Sequence, residues 1–193
     1  MTLDREQRGP QGPALEELTA PEVVERLGLA PHPEGGFFRE VYRSPLDLQS
    51  EAGTRPLSTS ILYLVAAESP SRFHRLRSDE IWFFHAGAPV EIVLLQSGKV
   101  VQQVLGPDIP QLVVPAECWM AARVLSEDQA DWGVGWAPER RWTPDRRSAP
   151  QPHWALVGCV VSPGFVPEDF EEGDQGALLR EYPQARMEIL ALS

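Results

Sequence analysis

Residues 71–87, S-R-F-H-R-L-R-S-D-E-I-W-F-F-H-A-G, are the part of the chain that decides the fold. They place His74 and Glu80 six residues apart in a strand-forming context that ends at Gly87. Residues an even number apart on one strand point to the same face. We therefore predict that this imidazole and this carboxylate face the same space, which a metal site or an acid/base site requires.

Short β-type runs separated by turn signals surround this stretch. From residue 58 onward the runs are S-T-S-I-L-Y-L-V, E-I-W-F-F, V-E-I-V-L-L, V-V-Q-Q-V-L, Q-L-V-V-P, C-W-M-A-A-R-V-L and W-A-L-V-G-C-V-V. Many short strands at this spacing predict an all-β antiparallel sandwich or barrel. A short N-terminal helix should begin at Thr19 or Ala20 and end at Gly28, and a C-terminal helical segment should flank Pro183.

The length of 193 residues predicts one domain. Residues 1–18, polar and rich in Pro and Gly, are expected to form a disordered leader, and residues 19–193 the single domain. Within it, residues 126–152 form a long insertion with three tryptophans and four arginines. Loops of this length are often lids, so a lid over a pocket is one expectation for the insertion and disorder is the other.

Charge and composition narrow the classes of partner. The formal net charge of -11 disfavours binding to nucleic acid and to an anionic membrane surface. The chain contains neither a transmembrane stretch of about 18 apolar residues nor the apolar core of a signal peptide. We therefore expect a cytoplasmic protein in which Cys118 and Cys159 are buried, reduced thiols.

The spacing of these motifs resembles that of the cupins. His74, Glu80 and Gly87 match the first cupin motif, in which Leu76 takes the place of a second histidine. P-A-E-C-W-M at 115–120 resembles the second motif, with Met120 in place of its histidine.

Longer blocks resemble one uncharacterised cupin subfamily, the fifth cupin domain family. They are H-P-E-G-G at 32–36, R-E-V-Y-R-S at 39–44, F-H-R-L-R-S-D-E-I-W at 73–82, L-G-P-D at 105–108, V-P-A at 114–116 and L-V-G-C-V-V-S-P-G-F-V-P-E-D-F at 156–170. The resemblance runs from about residue 20 to the end. It implies a double-stranded β-helix (the cupin jelly roll), homodimers in several members, and no settled activity.

The resemblance does not imply a firm cofactor. Metal-binding cupins use two or three histidines and a glutamate, and the matching positions here are His74, Leu76, Glu80 and Met120. Leucine cannot ligate, and a thioether is a poor ligand for hard divalent ions. A divalent transition metal held by His74 and Glu80 is a weak alternative that needs further donors, such as His32, His85 or another carboxylate.

Without a metal, His74 and Glu80 form a candidate catalytic acid/base pair. Burial raises the pKa of a glutamate and a nearby imidazolium lowers it, which can bring both groups close to neutral pH. Some metal-free jelly-roll cupins are sugar-nucleotide epimerases. The alternative is a purely structural hydrogen bond between two buried polar groups.

Four other residues are candidate substrate contacts. Trp82 shares the parity of His74 and Glu80, so it should form a pocket wall. Tyr63 is expected to line the pocket, and Met120 lies at the position of the missing ligand. Arg39 could hold an anionic group by bidentate hydrogen bonds, although a surface ion-pair ladder is an equal alternative.

Three further expectations concern residues around the pocket. The twin glycines of H-P-E-G-G should let that segment close tightly over the barrel mouth. His85 should face away from Glu80 unless a β-bulge reverses it. Phe165 and Phe170 should attach the terminal segment to the sheet, with Glu168 and Asp169 facing solvent or capping a turn.

Together these residues predict a small-molecule pocket centred on His74, Glu80 and Trp82, and the family resemblance implies a homodimer. If the protein is an enzyme, the expected chemistry is metal-free isomerisation or epimerisation of a small polar, sugar-like or acidic compound. One alternative is a non-catalytic metabolite-binding protein. The other is a metal-dependent enzyme with atypical ligands.

Overall fold

Antiparallel strands make up most of the computed structural model, which describes residues 13–50, 53–125 and 152–193. The strands are β1 (Ala30–Pro31), β2 (Phe37–Arg43), β3 (Asp47–Ser50), β4 (Gly53–Pro56), β5 (Thr59–Ala66), β6 (Ser71–Leu76), β7 (Asp79–Gly87), β8 (Val90–Gln96), β9 (Lys99–Leu105), β10 (Gln111–Val114), β11 (Trp119–Val124), β12 (Trp154–Ser162) and β13 (Phe170–Glu172). The helices are α1 (Ala20–Leu27), α2 (Gln175–Glu181) and α3 (Arg186–Ala191), with 3-10 helices at Leu15–Glu17, Pro167–Asp169 and Pro183–Ala185.

Two large sheets form the sandwich. One has the strand order β1-β2-β5-β12-β7-β10 and the other β13-β6-β11-β8-β9, while β3 and β4 form a separate hairpin. Apolar side chains from both sheets pack between them, including Tyr63, Trp82, Ile92, Met120 and Val157. This confirms the all-β double-stranded β-helix that the strand spacing predicts.

The stretch quoted at the outset is two strands rather than one. β6 ends at Leu76, residues 77 and 78 form a bend, and β7 begins at Asp79. β6 pairs with β11 and β13, whereas β7 pairs with β12 and β10 in the other sheet. The prediction that His74 and Glu80 share one face of one strand is therefore wrong. Both side chains are buried between the sheets because the bend carries the chain from one sheet to the other.

Helices cover the outer faces of both sheets. α1 is bounded by a Thr19/Glu22 capping box and by Gly28 in the left-handed conformation, close to the limits that the sequence predicts. Leu15 and Leu18, assigned to the leader from sequence, pack with α1 against the six-stranded sheet. α2 and α3 cover the five-stranded sheet through an apolar cluster that includes Phe73 and Ile189.

Residues 1–12 of the expected leader and residues 126–151 of the expected lid lie outside the described part of the chain. Cys118 and Cys159 are buried, and neither forms a disulfide. Among the described residues, none of the helices has the length and apolar character needed to cross a membrane.

Candidate functional site

A cavity of about 140 Å³ lies between the two sheets and opens at one end of the sandwich. Its charged and titratable lining includes four groups that are at least partly buried, His32, Glu34, His74 and Glu80, and the more exposed pair Glu40 and Arg43. Its aromatic lining consists of Phe38, Tyr63, Trp82, Phe165 and Phe170. The cavity therefore combines a few buried titratable groups with extensive aromatic walls, which is the usual composition of a small-molecule site.

His74 is held in one orientation by its own strand. Its side chain is 2% exposed, and its Nδ1 lies 2.7 Å from the carbonyl oxygen of Arg72. A carbonyl oxygen can only accept, so Nδ1 carries the proton of this hydrogen bond. Nε2 then faces the cavity, 3.1 Å from Oε2 of Glu34.

Glu34 reaches the cavity from the loop between β1 and β2. Its Oε1 accepts a hydrogen bond from the Ser71 hydroxyl at 3.0 Å, and its carbonyl oxygen accepts one from the Arg72 amide at 2.8 Å. These two bonds attach the loop to β6, the strand that carries His74. The contact between the Glu34 carboxyl and the His74 imidazole is thus fixed at both ends.

The glycines of H-P-E-G-G make this loop possible. Gly35 and Gly36 have φ values of 109° and 66°, which side-chain-bearing residues rarely adopt. A Cβ on Gly35 would lie 2.0 Å from the Pro70 carbonyl oxygen, and one on Gly36 would lie 2.5 Å from that of Leu64. The loop therefore packs tightly at the barrel end, as the twin glycines predict.

Glu80 approaches the cavity from β7, in the sheet opposite the one that carries His74. Its Oε2 accepts a hydrogen bond from the indole nitrogen of Trp82 at 2.9 Å. Cys159, on the adjacent strand β12, lines the cavity with it, and its thiol helps to lower the pKa of the Glu80 carboxyl. The group in direct contact with Nε2 of His74 is Glu34, whereas Glu80 acts on His74 through its charge.

Burial moves the pKa values of Glu34, Glu80, His32 and His74 in the direction that favours the uncharged side chain. It raises the pKa of Glu34 and that of Glu80 to about 7, and the charge of Glu34 contributes to the rise at Glu80. Burial lowers the pKa of His74 and of His32. A neutral histidine beside a protonated glutamate is consequently accessible near pH 7, with one proton between Glu34 Oε2 and His74 Nε2.

Two of the four predicted substrate contacts line the cavity. Tyr63 donates a hydrogen bond to the Gly35 carbonyl oxygen at 2.8 Å, and Trp82 stands perpendicular to Tyr63 with ring centroids 5.8 Å apart. Met120 pairs with His74 across β6 and β11 but is buried in the core rather than in the cavity lining.

Arg39 lies on the outside of the barrel. It is exposed and pairs with Leu62, while Glu40 beside it lines the cavity. A register shift between Glu40 and Tyr42 then turns Arg43 back toward the cavity mouth. The predicted contact between Arg39 and a substrate is therefore wrong in this structure, in which Arg43 lines the cavity and Arg39 does not.

Phe165 and Phe170 form part of the cavity mouth as well as attaching the terminal segment. Phe170 stacks on His74 with ring centroids 5.6 Å apart. Asp169, expected at the surface or in a cap, is buried and makes a bidentate ion pair with Arg55, with distances of 2.5 and 2.7 Å. This ion pair anchors the segment that carries Phe170 to β4.

His85 lies within a second bulge. β12 and β7 change register between Leu156 and Val157, opposite Phe84 and Ala86. His85 is exposed, with its ring over Gly158 on the outer face of the sheet, so it is not part of the cavity.

Sequence reasoning missed Glu34 as a site residue. His32, considered there only as an extra metal donor, lies with Nδ1 3.7 Å from Oε1 of Glu34. The available signal was the H-P-E-G-G block, because a carboxylate between a histidine and two glycines at a barrel mouth is a candidate for inward orientation.

The donor set does not match the metal centre of metal-binding cupins. Leu76 and Met120 stand at two of the four matching ligand positions, which leaves only His74 and Glu80 as donors there. Across the described ranges, no three His, Cys, Asp or Glu side chains are arranged to hold a metal ion.

Comparison of the sequence with known proteins finds one matching family model and a curated relative. The model of the Cupin_5 family, described as "Cupin superfamily (DUF985)", matches residues 21–172. The uncharacterized protein YML079W of Saccharomyces cerevisiae is 30% identical over 168 residues, which are 78% of this chain and 72% of that protein.

Two solved structures share the fold over nearly the whole chain. A hypothetical protein from Leishmania major is 32% identical with a TM-score of 0.74, covering 91% of this chain and 99% of that one. Protein SO0799 from Shewanella oneidensis is 32% identical with a TM-score of 0.71, covering 91% and 98%. These relatives support the fold, and their descriptions state no reaction.

Proposed function

This chain belongs to the Cupin_5 family of the cupin superfamily, and we propose that its cavity is a metal-free proton-transfer site that isomerises or epimerises a small molecule. The observation that carries the proposal is the 3.1 Å contact between the Glu34 carboxyl and Nε2 of His74 in a buried cavity. This distance is within the range over which a general acid and a general base exchange a proton.

The two groups have complementary roles. Because Nδ1 of His74 donates to the Arg72 carbonyl oxygen, Nε2 is the ring nitrogen that can gain or lose a proton. Burial raises the pKa of Glu34 to about 7, so near neutral pH its carboxyl can carry that proton and exchange it with Nε2. The pair can thus accept a proton from a substrate carbon or return one to it.

Glu80 supplies a second acid/base group from β7, in the sheet that faces the strand of His74. Its pKa is also raised to about 7, and its hydrogen bond from Trp82 fixes the carboxyl in the wall. Epimerisation requires removal of a proton on one face of a carbon and delivery on the other. Acid/base groups on two facing sheets support this reaction class.

The proposal is tested by hydrogen exchange. Purified protein is incubated in D₂O with a panel of small aldoses, ketoses and 2-oxo acids, and deuterium incorporation next to the carbonyl is followed by NMR. We expect the wild-type protein to label at least one compound. Glu34→Gln and His74→Gln should slow labelling by about 100-fold or more, the usual contribution of a general acid or base.

Glu25→Gln, on the exposed surface of α1, is the matched control and should label at the wild-type rate. A compound that binds in the cavity but exchanges no hydrogen, in wild-type or variants, would overturn the proposal in favour of a non-catalytic metabolite-binding protein. Labelling that a chelator abolishes and added divalent metal restores would favour the metal-dependent alternative.

The homodimer implied by the family resemblance stays a prediction. Sedimentation equilibrium of the purified chain measures it directly, and a single species of twice the 21.5 kDa chain mass is the expected result.

A further inference from the structure

We propose that the cavity recognises a small organic cation, an ammonium group on an apolar body. The charge and the ring arrangement of the lining carry this inference. It rests on the proposed function because it assigns a ligand class to the same cavity, and it replaces the acidic compound expected from Arg39.

The first argument is the charge of the lining. Glu34, Glu40 and Glu80 all line the cavity, and Arg43 is the only arginine or lysine among the lining residues that the structure describes. His32 and His74, both held toward their neutral form by burial, add no fixed positive charge. An anion would therefore meet an excess of carboxyl groups.

The second argument is that Arg43 is already occupied. Its Nε and Nη2 bind the two carboxylate oxygens of Glu40 at 3.2 and 2.6 Å, and its Nη1 donates to the Phe165 carbonyl oxygen at 3.1 Å. A guanidinium usually recognises an anion through the bidentate edge that Glu40 fills here. Arg43 therefore closes the rim of the cavity and is unsuited to capturing a ligand carboxylate or phosphate.

The third argument is the arrangement of the aromatic rings. Tyr63 and Trp82 meet at 86°, and His32 meets Phe38 at the same angle, so the rings surround the cavity on several sides. Aromatic faces attract cations through their quadrupole, and aromatic cages are a known means of binding ammonium groups. The buried Glu80 carboxyl accepts a hydrogen bond from Trp82, so its ionised form would carry a negative charge next to one of these rings.

The carboxyl groups and the aromatic rings of the lining both favour the same class of ligand. An ammonium group can contact aromatic faces and a carboxylate at once, while its apolar substituents pack on Ile61, Leu76 and Val161. A neutral polyol lacks the charge attraction to the rings and to the carboxylate, and its hydroxyl groups must be desolvated against apolar walls. A cation also favours ionised Glu80, so its binding should release protons from the site.

The test uses three probes with the same body and different charge: benzylammonium, benzyl alcohol and benzoate. Binding to the full chain is followed by NMR of the Trp82 indole N–H, identified with a Trp82→Phe variant. We expect benzylammonium to bind at least tenfold more tightly than benzyl alcohol, and benzoate to bind more weakly than either. Glu80→Gln should remove the tenfold preference while changing benzyl alcohol binding by less than twofold.

Glu25→Gln, far from the cavity lining, should leave all three affinities unchanged. Equal binding of the ammonium and the alcohol, tighter binding of benzoate, or no effect of any probe on the Trp82 signal would each overturn the cation assignment. The proposed function is judged separately, by hydrogen exchange with Glu34→Gln, so either proposal can fail without the other.

Discussion

The orientation of one ring nitrogen sets the chemistry that His74 can perform. Its Nδ1 is held by the Arg72 carbonyl oxygen two residues earlier on the same strand, and its Nε2 faces Glu34. The hydrogen bond within the strand acts as the orienting partner that a catalytic histidine usually receives from a carboxylate. Glu34 is thereby left free to exchange the proton.

This arrangement predicts the tautomer of His74. In ¹⁵N-labelled protein at pH 7, Nδ1 should carry a proton and Nε2 should have the chemical shift of an unprotonated ring nitrogen. Glu34→Gln should keep this tautomer, because an amide N–H can donate to Nε2 as a protonated carboxyl does. A proton found on Nε2 with Nδ1 bare would contradict the assigned roles.

Glu80 should make the stability of the protein depend on pH. Its pKa rises from an ordinary value of 4.5 to about 7 on folding, so between these values the folded state binds more protons than the unfolded state. The free energy of unfolding therefore falls as pH rises through this window, by on the order of 3 kcal/mol for a shift of this size. Glu80→Gln should remove this loss and gain stability relative to the wild type between pH 5 and 8.

Urea denaturation at several pH values measures the difference between the two proteins. Comparison at each pH is needed because His32 and His74, with lowered pKa values, act in the opposite sense and cost stability as pH falls below 6.5. The groups that face the Glu80 carboxyl and complete the linkage are His74, Glu34, Trp82 and Cys159. A pH-independent difference would show that Glu80 titrates normally.

Among the elements, the H-P-E-G-G loop is the one on which the site depends most. Gly35→Ala combines an unfavourable torsion with a Cβ that would lie 2.0 Å from the Pro70 carbonyl oxygen. We expect a loss of more than about 2 kcal/mol in the free energy of unfolding, measured by urea denaturation. Hydrogen exchange activity should also fall, because Glu34 shifts with the loop.

Gly98→Ala is the matched control for this loop. Gly98 has a φ of 73°, and a Cβ there would meet no atom within 4 Å. This change carries the torsional cost alone, about 1 kcal/mol. Equal losses for the two variants would show that the packing against Pro70 contributes nothing.

The strands and helices were largely predictable, whereas the orientation of individual side chains was not. Apolar runs and turn residues located the strands, and Pro21 and Gly28 located α1. Parity failed where the ladder is irregular. The bend at residues 77–78 places His74 and Glu80 on strands of different sheets. The bulge at Val41, which the sequence does not indicate, lies between exposed Arg39 and Arg43 of the cavity lining.

These irregularities have a physical reason to escape prediction. A bend or a bulge is set by how strands pair across the sheet, and the pairing partners of β2 and β7 lie far away in the sequence. Glu34 is a related case, since its inward orientation depends on Pro70 and Ser71 against the loop. The local sequence pattern therefore predicts the strands and helices, whereas the orientation of the site residues depends on tertiary contacts that the pattern does not contain.

At the scale of the whole molecule, the C-terminal helices pack on the outer face of the sheet whose inner face carries His74. Phe73, the neighbour of His74 on β6, points outward into the cluster formed with Leu178 and Ile189. The family match ends at residue 172, but the helices after it bury the outer face of the sheet that carries His74.

Ile189→Ala should therefore destabilise the protein by about 2–4 kcal/mol, the usual cost of removing a buried aliphatic side chain. Leu190→Ala, at a position that is 46% exposed, is the adjacent control and should change stability by less than about 0.5 kcal/mol. Thermal or urea denaturation compares the two, and equal effects would argue that α3 does not pack as described.

The bend at residues 77–78 has a consequence for how the protein acquires activity. Glu34 lies between β1 and β2 and Glu80 lies on β7, strands of the six-stranded sheet, whereas His74 lies on β6 of the five-stranded sheet. A chain in which each sheet has formed but the two have not docked would hold neither a closed cavity nor facing acid/base groups. Recovery of hydrogen exchange activity during refolding should therefore report sheet docking and lag behind the circular dichroism signal of the strands.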